Sequence, residues 1–142
     1  MHRILIVEDS PDLAELAILA LADRVGIDAI HHAADGTSAG DWLLGRGIHE
    51  SRRSASPPQW ILLDVNLPDV SGKELLRIIR ENEATRYVPV VMFSSSTRPE
   101  DIIDCLRAGA NSYIAKPLRF DDYAAKLRAA HDYWTGVHCS PA

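Results

Sequence analysis

The strongest constraint on the fold is a recurring pattern: a short apolar run is closed by a polar residue, and a helical stretch follows. Trp60-Ile61-Leu62-Leu63 has no polar interruption, ends at Asp64 and gives way to Val65-Asn66-Leu67-Pro68-Asp69-Val70-Ser71-Gly72, a segment full of turn formers. An apolar run bounded by turn signals reads as a buried strand. A carboxylate at its carboxyl end sits on the rim of a sheet, where open α/β folds place their ligands and chemistry. Three further runs end in the same way. Ile4-Leu5-Ile6-Val7 leads into Glu8-Asp9, Val88-Pro89-Val90-Val91-Met92-Phe93 into Ser94, and Tyr113-Ile114-Ala115 into Lys116.

Between these runs the chain reads as helices. Ser10-Pro11-Asp12 offers a cap, a proline at the first helical position and an acid in the first turn. The helix it opens carries Leu13, Leu16, Ala17, Ala20 and Leu21 and is expected to end at a left-handed Gly26. A weak second strand, Asp28 to Ala33, precedes a helix with Ala39, Trp42 and Leu43 that stops near Gly45-Arg46-Gly47. Residues 46–59 have no periodicity and read as a long exposed loop, either a tolerated insertion or a segment with a task. A third helix spans Gly72 to Glu83, and Thr97-Arg98-Pro99-Glu100 reads as a capping box for a fourth that closes at Gly109. The fifth strand covers Asn111 to Ala115. A last helix from Phe120 sets Tyr123, Ala124, Leu127, His131 and Trp134 along one stripe, and a tail of about 136–142 follows. Trp134 either closes the core or extends the stripe toward a partner. Five alternations of strand and helix predict an α/β fold with a doubly wound, all-parallel sheet, buried on both faces.

With 142 residues the chain fits one domain, and a domain of roughly this size buries about 70% of its unfolded surface. A net charge of −5 argues against nucleic acid or anionic membrane as partner, since both need a basic surface. No apolar run approaches the length of a membrane span, and two cysteines without metal-ligand spacing, Cys105 and Cys139, suit a reducing compartment. Cytoplasmic residence is the expectation.

If the first, third, fourth and fifth strands lie in the core of one parallel sheet, Glu8, Asp9, Asp64, Ser94 and Lys116 meet on one rim. Two carboxylates about 4 Å apart repel by roughly 4 kcal/mol at an effective dielectric of 20, so three of them need a cation. Oxygen ligands and hard charge suit Mg²⁺. With that ion bound, Asp64 keeps its charge and can attack a phosphoryl group, while Lys116 and Ser94 meet phosphoryl oxygens. The histidines offer no rival: His31 and His32 would face opposite sides of a strand.

These residues resemble response-regulator receiver domains of two-component signalling. The matching pieces are Glu8-Asp9, Asp64 with Pro68 and Gly72, Ser94, and Tyr113 three residues before Lys116-Pro117; together they span the chain. The resemblance implies a flavodoxin-like fold of five strands in the order 2-1-3-4-5 with five helices, over residues 1–142 as a single receiver domain. It implies phosphorylation of Asp64 by a histidine kinase and Mg²⁺ held by Glu8, Asp9, Asp64 and the main-chain carbonyl of Asn66. Phosphoryl binding and switching fall to Ser94, Ser95, Lys116 and Tyr113, and a cis bond precedes Pro117. On phosphorylation Ser94 moves toward the phosphoryl group and Tyr113 swings inward, changing a surface that meets a downstream protein or phosphotransfer partner. Asn66 and Ser96 flank the path of an attacking water.

The loop before Pro57-Pro58 and the aromatic end Tyr133-Trp134 look like stand-alone regulators paired with phytochrome-type sensor kinases, which often form homodimers. Such a protein is no enzyme beyond its own phosphorylation and dephosphorylation. Two other readings stand beside this one. A haloacid-dehalogenase-like phosphatase also uses an aspartyl phosphate and Mg²⁺, although it needs a second aspartate where this chain has Asn66. An interaction module could also keep the pocket as a relic.

Overall fold

The computed structural model describes residues 3–141; Ala142, the end of the expected tail, lies outside the described residues, as do Met1 and His2. Strands and helices alternate as β1 (Ile4–Val7), α1 (Pro11–Leu21), β2 (Ile30–Ala33), α2 (Gly36–Leu44), β3 (Trp60–Asp64), α3 (Gly72–Glu81), β4 (Val90–Ser94), α4 (Pro99–Arg107), β5 (Ser112–Ala115) and α5 (Phe120–Asp132). All neighbouring strands pair in parallel, in the order β2-β1-β3-β4-β5. This is the expected doubly wound sheet.

Side chains that alternate along each strand divide the core in two. Leu5, Val7, Ile61, Leu63, Val90 and Met92 pack with Ala39 and Trp42 of α2, Leu75, Leu76 and Ile79 of α3, and Cys105 of α4. Ile4, Ile6, Trp60, Leu62, Val91 and Phe93 meet Ala17, Ala20 and Leu21 of α1 and Tyr123, Ala124 and Leu127 of α5. Burial on both faces explains why the strands are continuously apolar. Trp134 is half-buried against the second cluster, as the core-closing alternative required.

Several local expectations are corrected. Helix α1 stops at Leu21 with Ala22 still right-handed, and Gly26 has φ −63°, because a turn at residues 22–25 rather than a left-handed cap ends it. The predicted capping box does not form. Arg98 takes the N-cap position of α4 with no side-chain acceptor, and the hydroxyl of Ser96 accepts from the Arg98 N–H at 3.3 Å instead. Strand β4 begins at Val90 rather than Val88, since Pro89 has no N–H to give a ladder. The 46–59 segment is partly ordered as a 3-10 helix at Gly47–Arg52. It is held by Arg52, whose guanidinium lies 3.6 Å from the Trp42 ring centroid and donates to the Trp42 carbonyl at 3.2 Å.

Two polar devices were invisible in the pattern. On α3, Arg80 donates to the carbonyls of Gly109 at 3.0 Å, Arg86 at 3.0 Å and Val88 at 2.7 Å, and to the Asn111 side chain at 2.7 Å. In the other cluster the indole N–H of Trp60 donates to Nδ1 of buried His131 at 3.0 Å.

Burial, with Arg3 and Arg24 nearby, lowers the His131 pKa below its ordinary 6.5, against a weaker opposing pull from Asp132. The folded state therefore resists a proton that the unfolded chain accepts, so this stability is present above pH 6.5 and is lost on acidification below it. His131→Leu leaves the Trp60 N–H without an acceptor and should cost about 1–3 kcal/mol near neutral pH. Urea denaturation near pH 7.5 and near pH 5.5 should also show a smaller acid loss in the variant than in the wild type. An equal acid loss in both would assign that pH dependence to other groups.

Candidate functional site

Register alone carries the site residues to one rim. Val7 pairs with Leu63, so Glu8 follows level with Asp64; Ser94 pairs with Ala115, so Lys116 follows one step beyond. The ladders continue past the strand ends. The Glu8 N–H donates to the Ala33 carbonyl at 3.1 Å, that of Val65 to Phe93 at 3.1 Å and that of Lys116 to Ser94 at 2.7 Å. The turn after Asp64 closes tightly, with Gly72 N–H donating to the Val65 carbonyl at 2.9 Å. A Cβ on Gly72 would stand 2.2 Å from the Asp64 carbonyl oxygen, so no other residue fits there without moving the backbone.

Glu8 and Asp64 are buried, Asp9 is exposed, and one carboxylate oxygen from each lies within 4.8 Å of the others. Among the described residues this is the one group of three or more such side chains that could hold a metal ion. The half-buried Lys116 ammonium stands 2.8 Å from Asp64 Oδ2 and 3.2 Å from Glu8 Oε1, and Asp64 Oδ1 accepts the Asn66 N–H at 2.9 Å. Burial first, and then the neighbouring Asp64 carboxylate, raise the Glu8 pKa to about 7, against the pull of Lys116. Burial alone would lower Lys116, but its bonds to Asp64 and Glu8 outweigh it and its pKa is raised. Two carboxylates thus crowd one ammonium, and an all-oxygen donor set of this kind fits a hard divalent cation.

The remaining predicted residues build the adjoining turn. Ser94 is buried and its hydroxyl accepts from the Ser96 N–H at 3.2 Å, while Ser95 is exposed. Tyr113 is half-buried and its hydroxyl donates to the Ser96 carbonyl at 2.8 Å. The Ser96 hydroxyl donates to Asp101 in the first turn of α4, and Arg98 pairs with the same carboxylate at 3.0 Å. The expected cis bond before Pro117 is absent: every peptide bond among the described residues is trans. Lys116 extends the β5 ladder and reaches both acids through the form that X-Pro bonds ordinarily favour by about 0.5–1 kcal/mol. Sequence reasoning missed Asp69, which accepts the N–H groups of Gly36 and Thr37, each at 2.9 Å. No local motif marks a bond to residues more than thirty positions away.

Residues 4–128 match the response regulator receiver domain family, and the chain belongs to it. The chain is 37% identical over 139 residues to the Probable methanogenesis regulatory protein FilR2 of Methanothrix harundinacea (strain 6Ac), covering 97% of this chain and 86% of that protein. It spans about half the length of the DNA-binding regulators it also matches, such as MtrA of Mycolicibacterium smegmatis, 32% identical over 128 residues. Among solved structures, the phosphorylated cyanobacterial phytochrome response regulator RcpA superposes with a TM-score of 0.89 at 29% identity, covering 100% of both chains. The Mn²⁺-bound form of response regulator Rcp1 superposes with a TM-score of 0.84 at 30% identity and 98% coverage of each. Receiver domains bind a divalent metal and work with histidine kinases, and they are not enzymes in the usual sense. The phosphatase alternative finds no support, and Asn66 stands where that chemistry needs an aspartate. No helix among the described residues is long and apolar enough to cross a membrane.

Removing Lys116 leaves Asp64 and Glu8 buried without their cation. Glu8 binds its proton more tightly in the fold than its ordinary value of 4.5 allows, so its contribution falls as pH rises from 4.5 toward 7. Metal-free Lys116→Met should accordingly lose on the order of 2 kcal/mol near pH 8, discounted from a fully buried pair because Lys116 keeps some solvent. The loss should shrink near pH 5, where Glu8 is protonated. Chemical denaturation at the two pH values reads this directly; equal losses at both would show that Lys116 acts through packing.

Proposed function

We propose that this chain is a phosphorylation switch in which Asp64 accepts a phosphoryl group from a sensor histidine kinase. The carrying observation is the cluster itself: three carboxylates within 4.8 Å of one another, with Lys116 2.8 Å from Asp64. An oxygen of Asp64 attacks the phosphorus of a phosphohistidine; the new P–O bond forms as the P–N bond breaks, and the imidazole leaves. Lys116 meets a phosphoryl oxygen as the pair with Asp64 loosens, and the hydroxyl of Ser94, with the N–H of Ser95, serves the others. Glu8, Asp9, Asp64 and the Asn66 main-chain carbonyl would hold the metal, Mg²⁺ on this reading, which when bound supplies positive charge to the phosphoryl oxygens.

The readout follows from the bonds that Ser96 makes. If the Ser94 hydroxyl turns to the phosphoryl group it gives up the Ser96 N–H, and Ser96 also anchors Tyr113 and, through Asp101, α4. A full switch from 1:99 to 99:1 requires about 5.5 kcal/mol, more than any one of these bonds supplies, so they act together. The likeness to RcpA, a phytochrome response regulator, supports a phytochrome-type sensor kinase as donor; on this reading residues 1–142 form one receiver domain that works in the cytoplasm and passes the signal to a second copy of the chain or to a downstream protein. The intact acidic cluster with its lysine speaks against a relic pocket.

Incubation with Mg²⁺ and acetyl phosphate should add one phosphoryl mass to the wild type and none to Asp64→Asn, whose fold should persist by circular dichroism. Equal labelling of the variant would reject Asp64 as acceptor. Steady phosphate release from a phosphomonoester without an adduct would revive the phosphatase reading. Gel filtration of the labelled sample against the unlabelled one reads whether association changes.

A further inference from the structure

The loop between Asp64 and α3 is fastened at both ends and at its tip. Its base is closed by the Gly72 to Val65 bond and its first residues by the bonds of Val65 to Phe93 and of Asn66 to Asp64. Its tip reaches a different element: Asp69 accepts the N–H groups of Gly36 and Thr37 at the start of α2. Burial alone would raise the Asp69 carboxyl, but hydrogen bonds from the Thr37 side chain and from the N–H groups of Val70, Thr37 and Gly36 together outweigh it and hold the group well below the usual carboxylate range. Asp69 is therefore a carboxylate at every pH where the protein works, and it is not itself in the acidic cluster.

Backbone packing at the same corner is close. A Cβ on Gly36 would stand 2.9 Å from both the Cβ and the carbonyl oxygen of Val70, so only glycine lets the loop lie this near α2. The corner holds the opposite side of the site as well. His32 of β2 donates from Nε2 to the main-chain carbonyl of Glu8 at 2.8 Å. Both loops that carry the acidic cluster are thus tied to one corner, the end of β2 and the start of α2.

We infer that Asp69 is a positioning residue for the metal site: by fastening the 65–71 loop to the N–H groups of Gly36 and Thr37, it sets where the Asn66 carbonyl stands relative to Glu8, Asp9 and Asp64. This rests on the proposed role of Asn66 as a ligand. Groups that orient ligands from behind typically govern metal affinity by 10–100-fold. The tie acts before any phosphoryl group arrives, so it governs metal affinity and leaves the transfer step to the residues that touch the phosphoryl group.

The test is calorimetric titration of the metal-free protein with Mg²⁺, with melting temperatures in chelator and acetyl phosphate labelling across Mg²⁺ concentrations. Asp69→Ala removes the acceptor, and Gly36→Ala pushes the loop off from the other side. Both should raise the Mg²⁺ dissociation constant about ten-fold, and Asp69→Asn, which keeps one acceptor oxygen, should raise it less. Labelling at saturating Mg²⁺ should stay within about two-fold of wild type, since only ground-state metal binding is lost. Lower melting temperatures with unchanged Mg²⁺ affinity in both variants would overturn the inference and leave the corner a structural one. Failure of the wild type to bind Mg²⁺ at all would instead overturn the functional reading beneath it.

Discussion

An ammonium held between two buried carboxylates is the constraint on which this structure turns. Lys116 bonds Asp64 at 2.8 Å and Glu8 at 3.2 Å, and neither acid is more than a few per cent exposed. One positive charge does not balance two negative ones, and the raised Glu8 pKa is the mark of that shortfall. The fold tolerates the imbalance because the strand ends are locked in register by ladder bonds that continue past Val7, Asp64 and Ala115. A site in this condition favours any added cation strongly, as pairing of buried charge requires.

Beside that cluster lies a turn with a different physical character. Ser96 joins four partners through one residue: the Ser94 hydroxyl, the Tyr113 hydroxyl, the Arg98 N–H and the Asp101 carboxylate. These bonds are partly exposed and individually modest, the neutral ones worth about 0.5–1.5 kcal/mol net and the one to the Asp101 carboxylate about 1.5–3. The charged cluster is stiff and the turn is cheap to rearrange. Such a pairing suits a site where chemistry at one point alters the shape of a neighbouring one.

Most of the fold was legible because each layer of the pattern agreed with the next. Apolar runs without alternation marked strands buried on both faces, and Ser10, Asp35 and Ser71 capped the helices that follow, with Ser10 foreseen. The four residues of the site's core were legible for the same reason: each stood one step past an apolar run, and parallel register does the rest. What escaped were contacts between residues far apart in the chain, such as Asp69 with Gly36 or Trp60 with His131, which leave no periodic trace. The ends of α1 and α4 escaped for a local reason. Gly26 and the Thr97-Arg98-Pro99-Glu100 stretch carry the right residues, but nearby groups, the Leu21 carbonyl accepting from Arg24 and Val25 and the Ser96 hydroxyl accepting from Arg98, satisfied the helix ends first. The trans bond before Pro117 shows that a shared motif does not bring every backbone detail with it.

The four-way grip of Arg80 has a mechanical meaning. Its guanidinium binds carbonyls before β4, at Arg86 and Val88, and both a carbonyl and a side chain at the entrance to β5, so the amino ends of these two strands are pinned to α3. The opposite ends are fastened differently, by the pairs of Lys116 with Asp64 and Glu8 and by the Lys116 N–H to Ser94 bond, which chemistry at Asp64 can alter. Arg80 is therefore a fixed point beneath β4 and β5, on the edge of the sheet away from the acidic rim. A lysine there could bond only as a point donor and would not hold the two loops together through one planar group, which would loosen that joint.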